Sequence, residues 1–336
     1  MNHRSLAPLA VLVTGMVLLA APLSAQTPKG KAYVAPKTTD GQPDLQGVWS
    51  NATTVPLERP AALGAKEFYT EEEYAAMQAK SAERAETNRA NGRNTTPGTI
   101  EDVHYDLSQF GLDRRETAKS LRTSSIVGPE GRVPALLPAA QKRQQERAAF
   151  QRAHGFDGPE NRGLAERCIL WGSEGPPMLS PGYNSDLQIV QGSGYVAIMQ
   201  EMIHDTRIIP IDNREHLPSN IHQWFGTSTG HWEGNTLVVE TANFTAKTAF
   251  RGSSENLRVT EKFTRSDADT ILYEFTVSDP STWEKSWTAQ VSWIRSAGNV
   301  LYEYACQEAN YGMANVLKGV RSSEKRAAEP AASGRK

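Results

Sequence analysis

Short runs of alternating apolar and polar residues fill the chain from residue 186 to residue 308, and this pattern constrains the fold more than any other feature. The runs are rich in β-branched and aromatic residues, and turn residues such as Gly234-Asn235 separate them. Alternation with a period of two predicts half-buried β-strands, and a Gly-Asn pair between two runs predicts a tight hairpin. The predicted strands are 186–191, 195–203, 206–212, 222–233, 236–244, 257–265, 270–279, 285–295 and 300–308.

No helical pattern interrupts these strands, so neighbours along the chain are expected to pair as an antiparallel up-and-down meander. Such a meander can close into a barrel, which leaves no unpaired sheet edge. The sequence therefore predicts a mainly β fold, an antiparallel up-and-down meander closed as a lipocalin-like barrel. An open twisted sheet and a two-sheet sandwich are the alternatives. Small barrels contain packed side chains or one small ligand, and the sequence leaves both open.

The residues that precede the strands predict an irregular, partly helical N-terminal half that wraps the barrel, in which the short apolar piece "PDLQGVWSN" is interpreted as a strand or an extended anchor. One helix is expected over 69–90, where Thr70 and Glu73 form a capping box, and a second over 138–153. Both helices are polar around most of their surface, so they are expected to lie on the outside. The expected segments are a leader at 1–25, a wrapping segment at 26–165, the β-barrel domain at 166–317 and a polar tail at 318–336.

The first 25 residues have the layout of a secretory signal peptide. Arg4 makes the start basic, a long apolar run follows, and Ala25 ends the small-residue stretch where cleavage is expected. An uncleaved membrane anchor is the alternative, because the apolar run is near the length that spans a bilayer. No later segment is long and apolar enough to span, so the protein is expected to be periplasmic or secreted.

The balance of charge excludes some partners. The formal net charge is −2, and it becomes −3 when the leader takes the positive charge of Arg4 with it. A binder of nucleic acid or of another polyanion is typically basic, so neither is indicated. The expected partner is a small-molecule ligand or substrate, with no nucleic acid and with no membrane span after cleavage of the leader.

The two cysteines, Cys168 and Cys306, are candidates for a disulfide bond in an oxidising compartment. Neither lies beside a histidine or in a C-x-x-C motif, which would indicate reactive chemistry. Two free thiols or a catalytic cysteine are the alternatives. If the bond forms, it connects the start of the predicted barrel domain to its end.

The stretch "MIHDTRIIPIDNREHLPSNIHQW", residues 202–224, holds three of the seven histidines together with two Asp, one Glu and two Arg. It lies where predicted strands turn, so its side chains are expected at the mouth of the barrel. A histidine there could move a proton, a carboxylate could orient the imidazole, and an arginine could bind an anion. The predicted catalytic residues are His204, Asp205, Arg207, Arg214 and His216.

Further residues are candidates for ligand binding, because binding sites prefer aromatic walls with a few polar groups. Glu201 and His222 would support the catalytic group. Trp224, Trp232, Trp287 and Trp293 would form an apolar wall. The alternative interpretation is structural: the tryptophans would fill the core, and the polar residues would be turn residues and surface ion pairs.

Two hypotheses about function follow. The first is an enzyme of the lyase, isomerase or hydrolase type that uses His, Asp and Arg for acid–base chemistry on a small, partly apolar molecule. The second is a non-catalytic carrier or sensor of a hydrophobic small molecule, in which the tryptophans matter more than the histidines.

Other kinds of site lack their usual signals. The four histidines His204, His216, His222 and His231 are loosely spaced and form no dense zinc motif, so no metal is expected. Ser228 lies in the stretch GTSTGH, within a predicted strand and not at the strand-to-helix elbow that a nucleophilic serine needs, which argues against a serine triad. No Gly-rich phosphate loop precedes a helix, so no redox or nucleotide cofactor is indicated.

Several motifs together resemble a group of secreted bacterial proteins. They are "PDLQGVW", "RCILWGSEGPPML", "HDTRIIPID", "GHWEGNTLVVETANF" and "YEYACQEANY", and the resemblance covers roughly residues 43–317. This resemblance implies export but implies no reaction. The G-x-W of Gly47 and Trp49 is also similar to the lipocalin pattern, although a long insertion between Trp49 and the predicted barrel departs from the lipocalin layout.

Overall fold

The computed structural model describes residues 33–92, 116–212, 214–296, 298, 300–308 and 310–329, so the predicted leader at 1–25 lies outside the described residues. Within these ranges the chain forms nine strands and three α-helices. The strands are β1 (Gly47–Ser50), β2 (Asp186–Gly192), β3 (Tyr195–Gln200), β4 (Thr206–Pro210), β5 (Thr227–Glu233), β6 (Thr236–Ala242), β7 (Arg258–Arg265), β8 (Thr270–Ser278) and β9 (Trp287–Arg295). The helices are α1 (Glu71–Gly92), α2 (Pro138–His154) and α3 (Tyr311–Ala328).

All nine strands belong to one antiparallel sheet with the order β4-β3-β2-β1-β9-β8-β7-β6-β5. Every neighbouring pair is consecutive along the chain except β1 and β9, whose pairing joins the two ends of the meander. The terminal strands β4 and β5 are not hydrogen-bonded to each other. The sheet is therefore a nearly closed barrel with one seam, between β4 and β5. The prediction of a mainly β, up-and-down fold is confirmed.

The predicted strand at 300–308 is wrong. Residues 300–305 have no regular secondary structure, and Tyr302 is 71% exposed. The position beside β9 belongs instead to β1, in which Trp49 pairs with Arg295 and Ser50 pairs with Ile294. Pairing through β1 buries the Trp49 ring completely, and this favours β1 over the exposed alternating run near the C-terminus. The sheet therefore also extends across the predicted segment boundary at residue 166.

The close contact between β1 and β9 explains the G-x-W motif. Gly47 has a φ of +133°, and a β-carbon there would lie 2.5 Å from the guanidinium of Arg295. The same guanidinium lies over the Trp49 ring at 4.4 Å from its centroid, and that of Arg265 lies 5.7 Å away. The Trp49 Nε1 donates to the carbonyl of Leu45 at 2.9 Å. Glycine is needed at position 47 so that Arg295 can cover the tryptophan.

Two of the three helices follow the prediction. The backbone N–H of Thr70 donates to Glu73 Oε2 at 2.8 Å, and the backbone N–H of Glu73 donates to Thr70 Oγ1 at 3.2 Å, so α1 begins with the expected capping box. Helix α2 begins at Pro138 and ends at His154, as expected. Helix α3 was not predicted, and much of it falls within the stretch interpreted as a polar tail.

The interior of the barrel is filled near β7, β8 and β9. Alternate side chains of these strands point inward, and Phe263, Tyr273, Phe275 and Trp293 are fully buried. The rings of Tyr273 and Trp293 lie 4.5 Å apart between centroids, and Phe263 packs against both. Large aromatic side chains therefore occupy the space that a ligand would take in a hollow barrel.

The predicted disulfide bond between Cys168 and Cys306 is confirmed, with the two Cα atoms 5.7 Å apart. The bond ties the exposed segment after β9 to the irregular segment before β2. None of the helices in the described part of the chain combines the length and the apolar character that a bilayer crossing needs.

Candidate functional site

A cleft of about 860 Å³ opens along the seam between β4 and β5. At one end of the seam the strands pack tightly, because a β-carbon on Gly230 would lie 2.8 Å from Ile211 Cδ1 and 3.0 Å from Ile209 Cγ2. At the other end the strands diverge, and residues 205–208 and 226–229 form the two walls. We call this space the seam cleft.

Six of the predicted site residues line the seam cleft. They are Asp205, Arg207, Arg214, His216, His222 and Trp224. All six come from the stretch 202–224, which runs along β4 and through the loop that connects it to β5. The ionisable stretch thus surrounds one opening, and Phe225, Leu217 and Ile208 add apolar surface to it.

The other predicted residues lie elsewhere. His204 is exposed in the turn between β3 and β4, with a φ of +64°, and it is not part of the cleft lining. Glu201 is buried and accepts a hydrogen bond from Asn184 Nδ2 at 2.9 Å. Trp287 and Trp293 are part of the barrel core, and Trp232 packs against its edge.

Arg207 lies at the floor of the seam cleft, where its charge is balanced by Glu261 of β7. Its side chain is almost entirely buried, and its Nη1 and Nη2 atoms donate to the two carboxylate oxygens of Glu261 at 3.1 and 2.7 Å. Nη2 also donates to Ser228 Oγ at 3.0 Å. An arginine held by two parallel bonds to a buried carboxylate is not free to bind a substrate anion.

Tyr273 completes this buried network. Its hydroxyl donates to Glu261 Oε1 at 2.7 Å and accepts from the backbone N–H of Met178 at 2.8 Å. Burial, and then the charge of Glu261, raise the pKa of Tyr273 well above its usual value. The tyrosine therefore keeps its proton, and the floor of the cleft is a fixed polar group rather than a source of protons.

A hydrogen bond to the backbone of Phe244 fixes the tautomer of the neutral His222 ring. Its Nδ1 lies 3.0 Å from the backbone carbonyl oxygen of Phe244. A carbonyl can only accept, so Nδ1 carries the hydrogen and Nε2 of the neutral ring has a free lone pair. His222 is exposed and lines the cleft, so this lone pair is available to a ligand as a base. His216 lies on the same lining, with its Nδ1 3.5 Å from Thr227 Oγ1.

Arg214 lies at the rim in an exposed ion pair. Its Nε donates to Asp212 Oδ1 at 2.8 Å, and hydrogen bonding to Asp212, and then to Tyr195, raises the pKa of the guanidinium. The same pair lowers the pKa of Asp212. An exposed pair contributes little to stability, so Arg214 can exchange Asp212 for a ligand at small cost.

Sequence reasoning missed Glu174. Its side chain is fully buried, its Oε2 accepts from the backbone N–H of Trp171 at 3.0 Å, and its Oε1 has no hydrogen-bond partner. Burial raises its pKa to about 8, and the negative charge of Asp205 adds to the shift. No local motif marks this glutamate, because its burial comes from chain segments that are distant in sequence.

Glu174 also lies close to the cleft wall. Its backbone carbonyl accepts from Gln200 Nε2, and the neighbouring Gly175 lies so close to the Phe225 ring that a β-carbon would overlap it. The segment that holds the buried carboxyl therefore supports an aromatic residue of the cleft lining.

The raised pKa of Glu174 predicts a pH dependence of stability. The folded pKa of about 8 exceeds the ordinary value of 4.5, so the folded state binds more protons than the unfolded state between these values. The contribution of Glu174 to the free energy of unfolding is therefore fully present below pH 4.5 and is lost as the pH rises to about 8. From pH 6 to 7.5, we expect the free energy of unfolding to fall by about 2 kcal/mol more in the wild type than in Glu174→Gln.

Urea unfolding of both proteins at several pH values measures this difference. Groups that titrate equally in the two proteins cancel, and glutamine mimics the neutral carboxyl. Parallel pH profiles for the wild type and the variant would show that Glu174 is ionised in the folded state.

Within the described ranges, no group of three or more His, Cys, Asp or Glu side chains is arranged so that it could hold a metal ion. Comparison of the chain with protein families and with curated proteins finds no match.

Proposed function

We propose that the protein is an exported enzyme that uses acid–base chemistry on a small, partly apolar molecule bound in the seam cleft. The observation that carries the proposal is the position of His222, whose hydrogen bond to Phe244 leaves Nε2 as a free base on the cleft lining. A base with a defined tautomer beside an apolar wall is what proton abstraction from a bound molecule requires.

The roles of the residues follow from their surroundings. His222 takes a proton, and His216 on the same lining is the second proton-transfer group. Arg214 at the rim is the cation for an anionic group of the substrate, because Arg207 is occupied by Glu261. Asp205 lines the cleft near the buried Glu174 and adds negative charge at that end. A proton-shift isomerase reaction needs only these proton transfers, a lyase also releases the leaving group of the bond that breaks, and a hydrolase consumes a water molecule.

Export to the periplasm or the medium is part of the proposal. The disulfide bond supports it, because such bonds persist in oxidising compartments. The signal-like sequence at 1–25 and the resemblance to secreted bacterial proteins agree with it, and we propose that the chain belongs to that group.

A carrier or sensor of a hydrophobic molecule is the second candidate, favoured by the apolar part of the cleft. Trp224, Phe225 and Leu217 line it, and Leu217 is 44% exposed. In that case the ligand leaves the protein unchanged, and the histidines contribute only to affinity.

The test is substitution of the base. We expect His222→Gln to lower turnover by about 10²- to 10⁴-fold, the usual contribution of a general base. The matched control is His231→Gln, because His231 is a partly exposed histidine on β5 that contacts Glu233 and does not line the cleft. Each protein is incubated with a pooled extract of small metabolites, and consumption of each component is followed by mass spectrometry.

The outcomes separate the two candidates. Consumption by the wild type and by His231→Gln, but not by His222→Gln, supports the enzyme. A component that binds in native mass spectrometry and is released unchanged by all three proteins supports the carrier. Equal turnover by His222→Gln and the wild type contradicts the role of His222.

A further inference from the structure

The two walls of the seam cleft are sheet edges. Strands β4 and β5 are the terminal strands of the sheet, so each pairs with only one neighbour. An edge strand presents a row of unpaired N–H and C=O groups to its open side, and an added strand can pair with them. Here two such rows face each other across one opening.

The direction of the backbone groups on β4 follows from its pairing with β3. The carbonyl of Asp205 accepts from the N–H of Gln200, and the N–H of Ile211 donates to the carbonyl of Gly194. Backbone groups alternate between the two sides of a strand. The backbone N–H and C=O groups of residues 207 and 209 therefore face β3, and those of Ile208 face the seam. The backbone of Pro210 faces the seam as that of Ile208 does, so the missing N–H of proline removes no hydrogen bond to β3.

The same argument applies to β5. The two-residue turn Gly234-Asn235 makes Glu233 and Thr236 a hydrogen-bonded pair, as in tight hairpins. The backbone N–H and C=O groups of residues 227, 229 and 231 therefore face β6, and those of Ser228 face the seam. Ile208 and Ser228 both line the cleft, at the end where the strands diverge.

We infer that the substrate of the seam cleft is a short extended peptide, which pairs with the edges of β4 and β5 as an added strand. This inference rests on the seam cleft being the ligand site, as proposed above, and it adds the chemical class. An extended peptide has donors and acceptors at the strand repeat, which two facing edges complement. Trp224 and Phe225 receive its side chains, and tight packing at Gly230 limits how far it extends.

The probe is a pool of capped hexapeptides with Val, Leu, Thr, Lys or Glu at alternate positions and alanine between them. The control pool has the same sequences with N-methyl groups on alternate residues, which remove backbone donors and keep the side chains. Binding to the full chain is measured by affinity selection with mass spectrometry, and the dissociation constants of selected peptides by Trp fluorescence. We expect members of the first pool to bind and their N-methylated counterparts to bind at least tenfold more weakly.

The matched variant is Ile208→Pro. Proline removes the N–H of Ile208. The N–H of Thr206, on the same side of β4, already donates to Asp205 Oδ1 at 2.7 Å, so no other free donor of β4 faces the cleft. An edge position whose N–H faces away from the sheet tolerates proline, as Pro210 does. We expect about tenfold weaker peptide binding with a circular dichroism spectrum like that of the wild type. Ile208→Val, which keeps the N–H and loses one methylene group of the side chain, should bind peptides more tightly than Ile208→Pro.

Two results would overturn the inference: no hexapeptide binds with a dissociation constant below 1 mM, or the N-methylated pool binds equally well. Neither result contradicts the proposed enzyme, since metabolite turnover and the effect of His222→Gln are measured separately. If the variant Ile208→Pro misfolds, the comparison of the two peptide pools on the wild type still decides the question.

Discussion

Replacing Glu261 by alanine is expected to lower the free energy of unfolding by about 3–5 kcal/mol, the cost of leaving one partner of a buried ion pair without the other. Glu261 is fully buried and is bonded to both terminal nitrogens of Arg207. Without it, the hydrogen-bond partners that remain for the buried Arg207 guanidinium among the described residues are Ser228, Thr241 and Met178 Sδ. The Tyr273 hydroxyl also loses its acceptor. Urea unfolding followed by circular dichroism measures the change.

The control is Glu240→Ala, on the neighbouring strand β6, because Glu240 is exposed. We expect an effect within about 0.5 kcal/mol for it. The double variant Arg207→Met/Glu261→Leu removes both charges and should recover most of the stability, since well-packed apolar residues often replace a buried ion pair without loss. A single Glu261→Ala variant as stable as Glu240→Ala would mean that water reaches Arg207 in the folded protein.

Removing the disulfide bond is the second prediction with a large effect. The bonded cysteines are separated by 138 positions, and the loop between them contains β2 to β9. In the chain-entropy model, closing a loop of this length stabilises the folded state by about 5 kcal/mol, because it restricts the unfolded chain. We expect the double variant Cys168→Ser/Cys306→Ser to unfold at a much lower urea concentration than the oxidised wild type.

The wild type treated with a reductant is the internal control. Its unfolding curve should match that of the double serine variant, while reductant should leave the variant unchanged. If the reduced and the oxidised wild type unfold at the same urea concentration, the bond does not restrict the unfolded chain as this model requires.

Local patterns predicted much of the fold. Eight of the nine observed strands lie within the predicted strands or overlap them closely, because burial of one face imposes the same period of two on both the sequence and the sheet. The capping box of α1 was predictable for a similar reason, since Thr70 and Glu73 bond within one turn. The missed helix α3 has no buried residue, and its N-cap residue Asn310 makes no side-chain capping bond.

The candidate site was predicted only in part. The stretch 202–224 surrounds the seam cleft, but alternation in β4 turns the Arg207 side chain inward to Glu261, while His204 lies in the preceding turn. His222, expected only as a support, acquires its defined tautomer from the carbonyl of Phe244 on the far side of the β5–β6 hairpin. Glu174 acquires its raised pKa from burial alone.

The sequence by itself determined eight of the nine strands, the first two helices and the pairing of its two cysteines, since each depends on local spacing or on a choice among very few partners. Only the tertiary structure decided that β1 rather than residues 300–308 completes the sheet, that the barrel stays open between β4 and β5, and that Arg207 is paired with a buried carboxylate. These features depend on contacts between segments far apart in the chain. The free energies of these contacts depend on which side chains are buried and which strands pair in three dimensions. The periodicity of the sequence shows neither.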